Sequence, residues 1–217
     1  MKLTNLISIS VLAALGALVP AQQDGSMSMT MPAMHMTAKT DPAMVTAIIA
    51  DWIPEAKMGA EKMIEKYGQP NEASATHLTW WHNGMWKWSK IENVAIPHDF
   101  PGPHHDMLQQ AIDWKVDPSM FAKLAKYDGS VIVERTRGEV SARCDREEAN
   151  ILAINLAHDI VMKKKTVKEA RAFYAETIMQ FKAMHLDMRH KPYVSGFVFE
   201  LPMSKQNDPD KPHMKGG

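Results

Sequence analysis

Between Ser130 and Met162 the spacing of hydrophobic positions changes from two residues to three and four. Val131 and Val133, then Val140, Ala142 and Cys144, alternate with polar residues on either side of Arg137-Gly138, the pattern of two half-buried strands joined by a glycine turn. Asp145 then stands as an N-cap, with Glu148 three residues on to complete a capping box. At ~100° per residue, Ala149, Leu152, Ala153, Leu156, Ala157, Ile160 and Val161 gather on one arc, with Glu147, Glu148, Asn155, His158 and Asp159 opposite. This predicts a hairpin followed by a long helix whose apolar face packs on the sheet. His158 and Asp159 fall on its solvated face or against a covering loop.

The same reading extends outward. Asp41-Pro42 opens a helix to about Trp52, and Pro54 starts a second that Gly68 and Pro70 end. From Thr76 the pattern is aromatic and strand-like, with Asn83-Gly84 between two tryptophan-rich runs as a hairpin signal, and Trp86 and Trp88 expected to share one face. Residues 96 to 106, with three prolines and a glycine, read as loop. Met107 to Val116 reads as a short helix running into a strand. Asp117-Pro118 opens a helix from Ser119 to Tyr127, Thr166 and Glu169 form a capping box for one from Val167 to His185, and Tyr193 to Leu201 reads as a last strand. Hairpins interspersed with helices, without regular βαβ alternation, give an α+β class: antiparallel hairpins form a sheet packed against several amphipathic helices in a single domain.

Composition adds compartment and excludes some partners. Lys2 followed by an apolar run from Leu6 to Leu18 and Val19-Pro20-Ala21 is the layout of a signal peptide. The expected organisation is a signal peptide over 1 to 21, a Met/His-rich flexible linker over 22 to 40, one domain over 41 to 202 and a polar tail over 203 to 217. The mature product is expected to be exported, periplasmic or extracellular, with no stable membrane insertion after signal removal. With 25 basic and 25 acidic residues the chain carries no net field for nucleic acid. Cys144 is the only cysteine, so no internal disulfide supports the fold.

DGSVIVERTRGEVSARCD and the helix after it, with HNGMWK at 82 to 87, PHDFPGPHHD at 97 to 106 and ARAFYAE at 170 to 176, resemble a family of exported bacterial proteins of unassigned function. The resemblance spans roughly residues 50 to 200. It implies one compact domain and no particular activity, ligand or site residue.

Two stretches carry candidate chemistry. Met27, Met29, Met31, Met34, His35 and Met36 lie in one short segment. Thioethers are soft, uncharged donors suited to Cu(I), and an imidazole also suits Cu(II). The alternatives are an ordinary linker or a sacrificial oxidisable one. The second stretch holds His98, Asp99, His104, His105 and Asp106, the donor types of a zinc or copper site, although the spacing follows no standard pattern. His98 and His104 converge only across a tight loop, and adjacent His104 and His105 point apart in extended chain. The alternative is a solvated loop whose histidines bond the backbone. His77 or His82 would be an additional ligand if metal binds there.

Cys144, at a strand end before a helix, reads as a small buried hydrophobe more readily than as a nucleophile, and no partner histidine is evident from sequence. Trp80, Trp81, Trp86 and Trp88 divide between core and a possible ligand face.

Three functional classes follow. One is an exported domain binding copper through the Met/His-rich segment. Another is a metal-dependent, zinc-type enzyme centred on the 98 to 106 stretch, with Asp99 or Asp106 activating water. The third is a non-catalytic envelope interaction protein whose partner is an unknown ligand or envelope protein.

Overall fold

Two helices open the fold, α1 Pro42–Ala50 and α2 Pro54–Tyr67, each with proline in its first turn, where a missing amide hydrogen costs nothing. The structure is a computed structural model that describes residues 38–201; the expected signal peptide, the Met27 to Met36 cluster and the 203 to 217 tail lie outside the described residues. Four strands follow: β1 Glu72–Ala73, β2 His77–Trp81, β3 Trp88–His98 and β4 His104–Asp113. A 3₁₀ turn at Pro118–Met120 leads into α3 Phe121–Tyr127. Then come the hairpin β5 Val131–Glu134 and β6 Glu139–Cys144, and α4 Glu147–Val161, α5 Val167–Lys182 and α6 Lys191–Ser195. The strands form one six-stranded sheet in the order β1-β2-β3-β4-β6-β5, every pair antiparallel. The α+β class is the one the pattern predicts.

Both predicted hairpins form, around Gly84 and Gly138, each at φ +63°, a conformation glycine adopts without steric cost. The core divides in two. Leu78, Trp80 and Ile91 pack with Val45, Ile49, Ala56, Ala60 and Met63 of α1 and α2. Val131, Val140, Ala142 and Ile112 pack with α4 and the aromatic residues around it. Among the described residues, no helix is long and apolar enough to cross a membrane.

The largest departure from the sequence reading concerns α4. Glu147, Asn155, His158 and Asp159, expected opposite the apolar face, are all buried. The chain after α5 returns over this helix and covers its C-terminal half, bonding Asn155 and Asp159. Asn155 donates to the carbonyls of Tyr193 and Gly196 at 3.0 and 2.8 Å and accepts from the amide of Val198 at 2.9 Å. Asp159 accepts from Tyr193 Oη at 2.7 Å and Lys165 Nζ at 2.5 Å. Phe199 stacks on His158 with centroids 4.2 Å apart. Residues 193 to 201 therefore form α6 and an irregular strap instead of the expected last strand. One asparagine supplies the bonds that a neighbouring strand would have given.

Other corrections are local. The expected capping box at Asp145 and Glu148 is absent: Arg146 is the N-cap, without a side-chain cap, because Asp145 is held by the Arg146 guanidinium and lies 3.5 Å from the thiol of Cys144. The capping box at Thr166 and Glu169 is present. Met107 to Asp113 is strand throughout, and the 96 to 106 loop shortens to residues 99 to 103 between β3 and β4. Trp86 falls in the turn before β3 and enters the α4 core, while Trp88 begins the strand and bonds Glu139 at 2.7 Å. The two do not share a face.

Glu147 ties the halves together: its carboxylate accepts from Trp86 Nε1 at 2.6 Å, from Tyr67 Oη and from Lys66 Nζ at 2.5 Å. Burial alone would raise its pKa, but these partners hold it below its ordinary 4.5. Glu147→Gln should cost about 2 kcal/mol at pH 7, the scale of hydrogen bonds to a buried charge. Lys66, with its side chain 54% exposed, contributes the least. Because the folded carboxyl is depressed, its stabilisation is complete above pH 4.5 and is lost as pH falls through the folded value. Urea melts at pH 7 and below pH 4 should show the difference between the two proteins shrinking with acidification.

Candidate metal centre

Pro97 and the 99 to 103 turn do not prevent the two ends of PHDFPGPHHD from pairing. β3 and β4 are in register at Ile96 with Asp106, Pro97 with His105, and His98 with His104. A register shift between Ile91 and Ile96 interrupts the ladder just before this pairing, a local distortion of the kind that re-aims side chains beside functional sites. Alternation along β4 does the rest. His105 turns toward Glu55 of α2, 3.7 Å away, while His104 and Asp106 turn to the opposite side and meet His98.

The resulting cluster is compact. Asp106 is fully buried, and the side chains of His98 and His104 are 17% and 14% exposed. His98 Nδ1 lies 3.3 Å from Asp106 Oδ2, His104 Nε2 lies 3.2 Å from Oδ1, and one donor atom from each residue falls within 4.8 Å of the others. Donors bound at 2.0–2.2 Å around a tetrahedral ion stand roughly 3.3–3.5 Å apart, close to the separations of both imidazoles from Asp106 Oδ1, 3.4 Å for His98 Nδ1 and 3.2 Å for His104 Nε2.

The surroundings orient each member. His104 donates Nδ1–H to the carbonyl of Gly102 at 2.9 Å. His98 Nε2 points toward Asp128 Oδ1 at 3.8 Å. Asp106 accepts the hydroxyl of Ser130, and Arg143 Nε stands 3.9 Å from it. Asp128 in turn accepts the Ser130 amide at 2.8 Å.

This arrangement fixes a charge requirement. With Nδ1–H committed to a carbonyl, neutral His104 would aim the lone pair of Nε2 at a carboxylate oxygen. A proton or a cation must therefore lie between them. In the protonated form the hydrogen bond to Asp106 raises His104 to about 11, with the Cys144 contact adding to it and burial opposing it. Burial would push Asp106 up, yet hydrogen bonds from His104 and Ser130 and the charge of His98 hold it below the usual carboxylate range. Asp128 is raised, chiefly by burial.

Cys144 joins the edge of the cluster, its Sγ 3.4 Å from His104 Nε2. This is the histidine partner that sequence did not supply. The pair is not a nucleophile relay, because Sγ and Asp106 approach the same ring nitrogen; a relay needs the base on one nitrogen and its orienting carboxylate on the other. Burial pushes the thiol pKa up, with His104 only partly opposing. A cavity of ≈ 30 Å³, room for a water or two, is lined by His104, Cys144, Arg146, Tyr174 and Phe181 among others.

The remaining candidates lie elsewhere. Asp99 is exposed in the turn. His77 bonds Ser74 Oγ at 3.0 Å, and His82 lines a groove beside Gly84 and Trp86. The site therefore uses His98, His104 and Asp106 and leaves out His105. Ser130 and Asp128, which hold the ligands, are joined to them only by the fold. No protein-family model, no curated protein and no solved structure matches the chain.

Cys144 should react slowly despite its place before a helix. Alkylation by iodoacetamide at pH 7.5, followed by mass spectrometry, should run at least about tenfold slower in the native protein than in urea, because the thiol is buried and its pKa raised.

Proposed function

We propose that this is an exported metal-binding protein whose folded body holds one divalent cation of the zinc class through His98 Nδ1, His104 Nε2 and a carboxylate oxygen of Asp106. The observation that carries this reading is the orientation of the two imidazoles. Their inner nitrogens converge on a buried carboxylate while their outer nitrogens face the Gly102 carbonyl and the Asp128 carboxylate. A ligating histidine is commonly held with its outer N–H bonded to an acceptor so that the inner lone pair is fixed on the metal; His104 has that bond at 2.9 Å, while His98 faces the Asp128 carboxylate at 3.8 Å without bonding it. Two neutral imidazoles and one carboxylate leave a net positive charge with a divalent ion, which Asp128 offsets in part.

In this reading the Met27 to Met36 segment supplies softer donors for Cu(I), and the body site takes the borderline ion. A hydrolytic use of the body's ion is the second reading. It is favoured by the cavity at His104, which admits a water to the edge of the cluster.

Zinc titration of the full chain in competition with a chromophoric chelator should give one equivalent bound by the body. His98→Ala, His104→Ala and Asp106→Asn should each weaken it by ~100-fold or more, and Asp128→Asn by ~10-fold or more, as for loss of an outer-shell partner. His105→Ala should leave it unchanged. Affinity should fall as pH is lowered, since the ion must displace protons from the imidazoles. Equal affinity in the wild type and the three ligand variants would refute the site. Hydrolysis of activated esters by the zinc form, lost in the Asp106→Asn protein, would support the second reading.

A further inference from the structure

Methionine is ordinarily buried, yet at the end of α5 three stand in solvent: Met179 is 66% exposed, Met184 94% and Met188 86%. His185, between them, is exposed as well. The turn that carries them is well determined by its own bonds. The amide of Met184 bonds the carbonyl of Phe181 at 3.0 Å and that of His185 bonds Gln180 at 2.9 Å, closing the helix. Gln180 and Asp187 are then joined twice, the Gln180 side-chain amide donating to Asp187 Oδ2 at 3.2 Å and the Asp187 backbone amide donating to Gln180 Oε1 at 3.1 Å. Met179 and Met188 each adjoin one member of this cross-link, so the fold brings them to the same end of the helix as Met184 and His185.

The turn also sorts its apolar residues. Leu186 packs against the core, while its methionine neighbours at 184 and 188 face outward. Hydrophobicity alone would not separate them in this way. Met184 moreover adopts φ +55°, a conformation that asparagine or glycine takes more cheaply at a helix end. Asp187, though itself exposed, is engaged by His190 Nδ1 at 2.7 Å and by two backbone amides, and the thioethers and the His185 imidazole stand exposed beside it.

We propose that Met179, Met184, His185 and Met188 form a capture site for a soft monovalent cation, Cu(I) or Ag(I). Thioether sulfur needs no deprotonation and prefers soft ions, and the three rotatable bonds of each methionine let its sulfur reach a common ion from a fixed turn. The donor composition repeats that of the Met27 to Met36 segment. The site is distinct from the His98, His104 and Asp106 centre and does not depend on it.

The test uses the full chain labelled with ¹³C at the methionine methyls, with Ag(I) as a redox-silent probe. Signals are assigned from Met179→Leu, Met184→Leu and Met188→Leu, exposed changes that preserve volume. Shifts of these three methyls together near one equivalent, with the His185 ring, are expected. The triple leucine variant should lose one equivalent of bound Ag(I) in chelator competition while keeping its circular dichroism and zinc stoichiometry. Methyls of residues 179, 184 and 188 that stay in place while those of residues 27 to 36 shift would overturn the proposal, as would an unchanged Ag(I) stoichiometry in the triple variant. Loss of zinc binding in the His98→Ala protein with the Ag(I) shifts intact would separate this site from the body centre.

Discussion

The structure depends on the burial of almost all of α4. A helix with Glu147, Asn150, Asn155, His158 and Asp159 among its residues can be enclosed only if most of those groups find partners, since each unpaired buried polar group costs ~1–3 kcal/mol and an unpaired charge more. The partners come from distant parts of the chain. Glu147 is met by α2 and the turn before β3, Asn150 by the Leu108 carbonyl and Gln110 of β4, Asn155 by the C-terminal strap, and Asp159 by Lys165 and Tyr193. These bonds select one arrangement of the surrounding elements, because sliding any of them along the helix would leave a buried acceptor or donor unsatisfied. His158 Nδ1 remains without a partner, and burial lowers that histidine's pKa, so it stays neutral between Trp114 and Phe199.

The proposed metal centre belongs to the same arrangement. Asn150 fixes β4 against α4 at Leu108, two residues from Asp106. Cys144 ends β6 opposite Leu108 and so stands against His104. The Asp128 side chain accepts the amide of Ser130 just before β5, which sets the hydroxyl of Ser130 on Asp106. On the far side, Phe100 of the turn packs on Tyr174 of α5 at 5.1 Å, and Arg171 lies over its ring. The candidate ligands are thus carried by paired strands and braced by two further elements, the support that a preorganised site requires.

The electrostatics of the centre are those of a place that demands positive charge. A buried carboxylate faces two imidazoles, a second buried carboxyl stands behind one of them, and a thiol kept neutral by burial closes one edge. Protons meet that demand at one extreme and a divalent cation at the other. The methionine turn after α5 offers donors of the opposite character, uncharged, polarizable thioethers open to solvent, with its Asp187 carboxylate engaged by His190. Borderline and soft ions would partition between the two by donor type alone.

The hydrophobic periods by themselves determined much of this protein. They determined the α+β class, both glycine hairpins, the proline-started helices α1 and α2, the Thr166 capping box and the extent of most helices, because each rests on interactions within a few residues. The density of donor types, not the periods, marked His98, Asp99, His104, His105 and Asp106 as chemically interesting, though only as members of a loop. Three things were decided by tertiary structure alone. The prolines around residues 97 to 103 signalled irregular chain, yet β3 and β4 paired through them, and that pairing, with the alternation it imposes, brought His104 and Asp106 to His98 and sent His105 away. The polar face of α4 was indistinguishable from a solvated one until the returning strap supplied its partners. And Cys144 found its histidine forty residues earlier on a neighbouring strand. The first is a pairing across a short turn that its prolines disguised as loop, whereas in the other two the deciding contact joins residues about forty positions apart, and local spacing carries no record of which distant group will arrive.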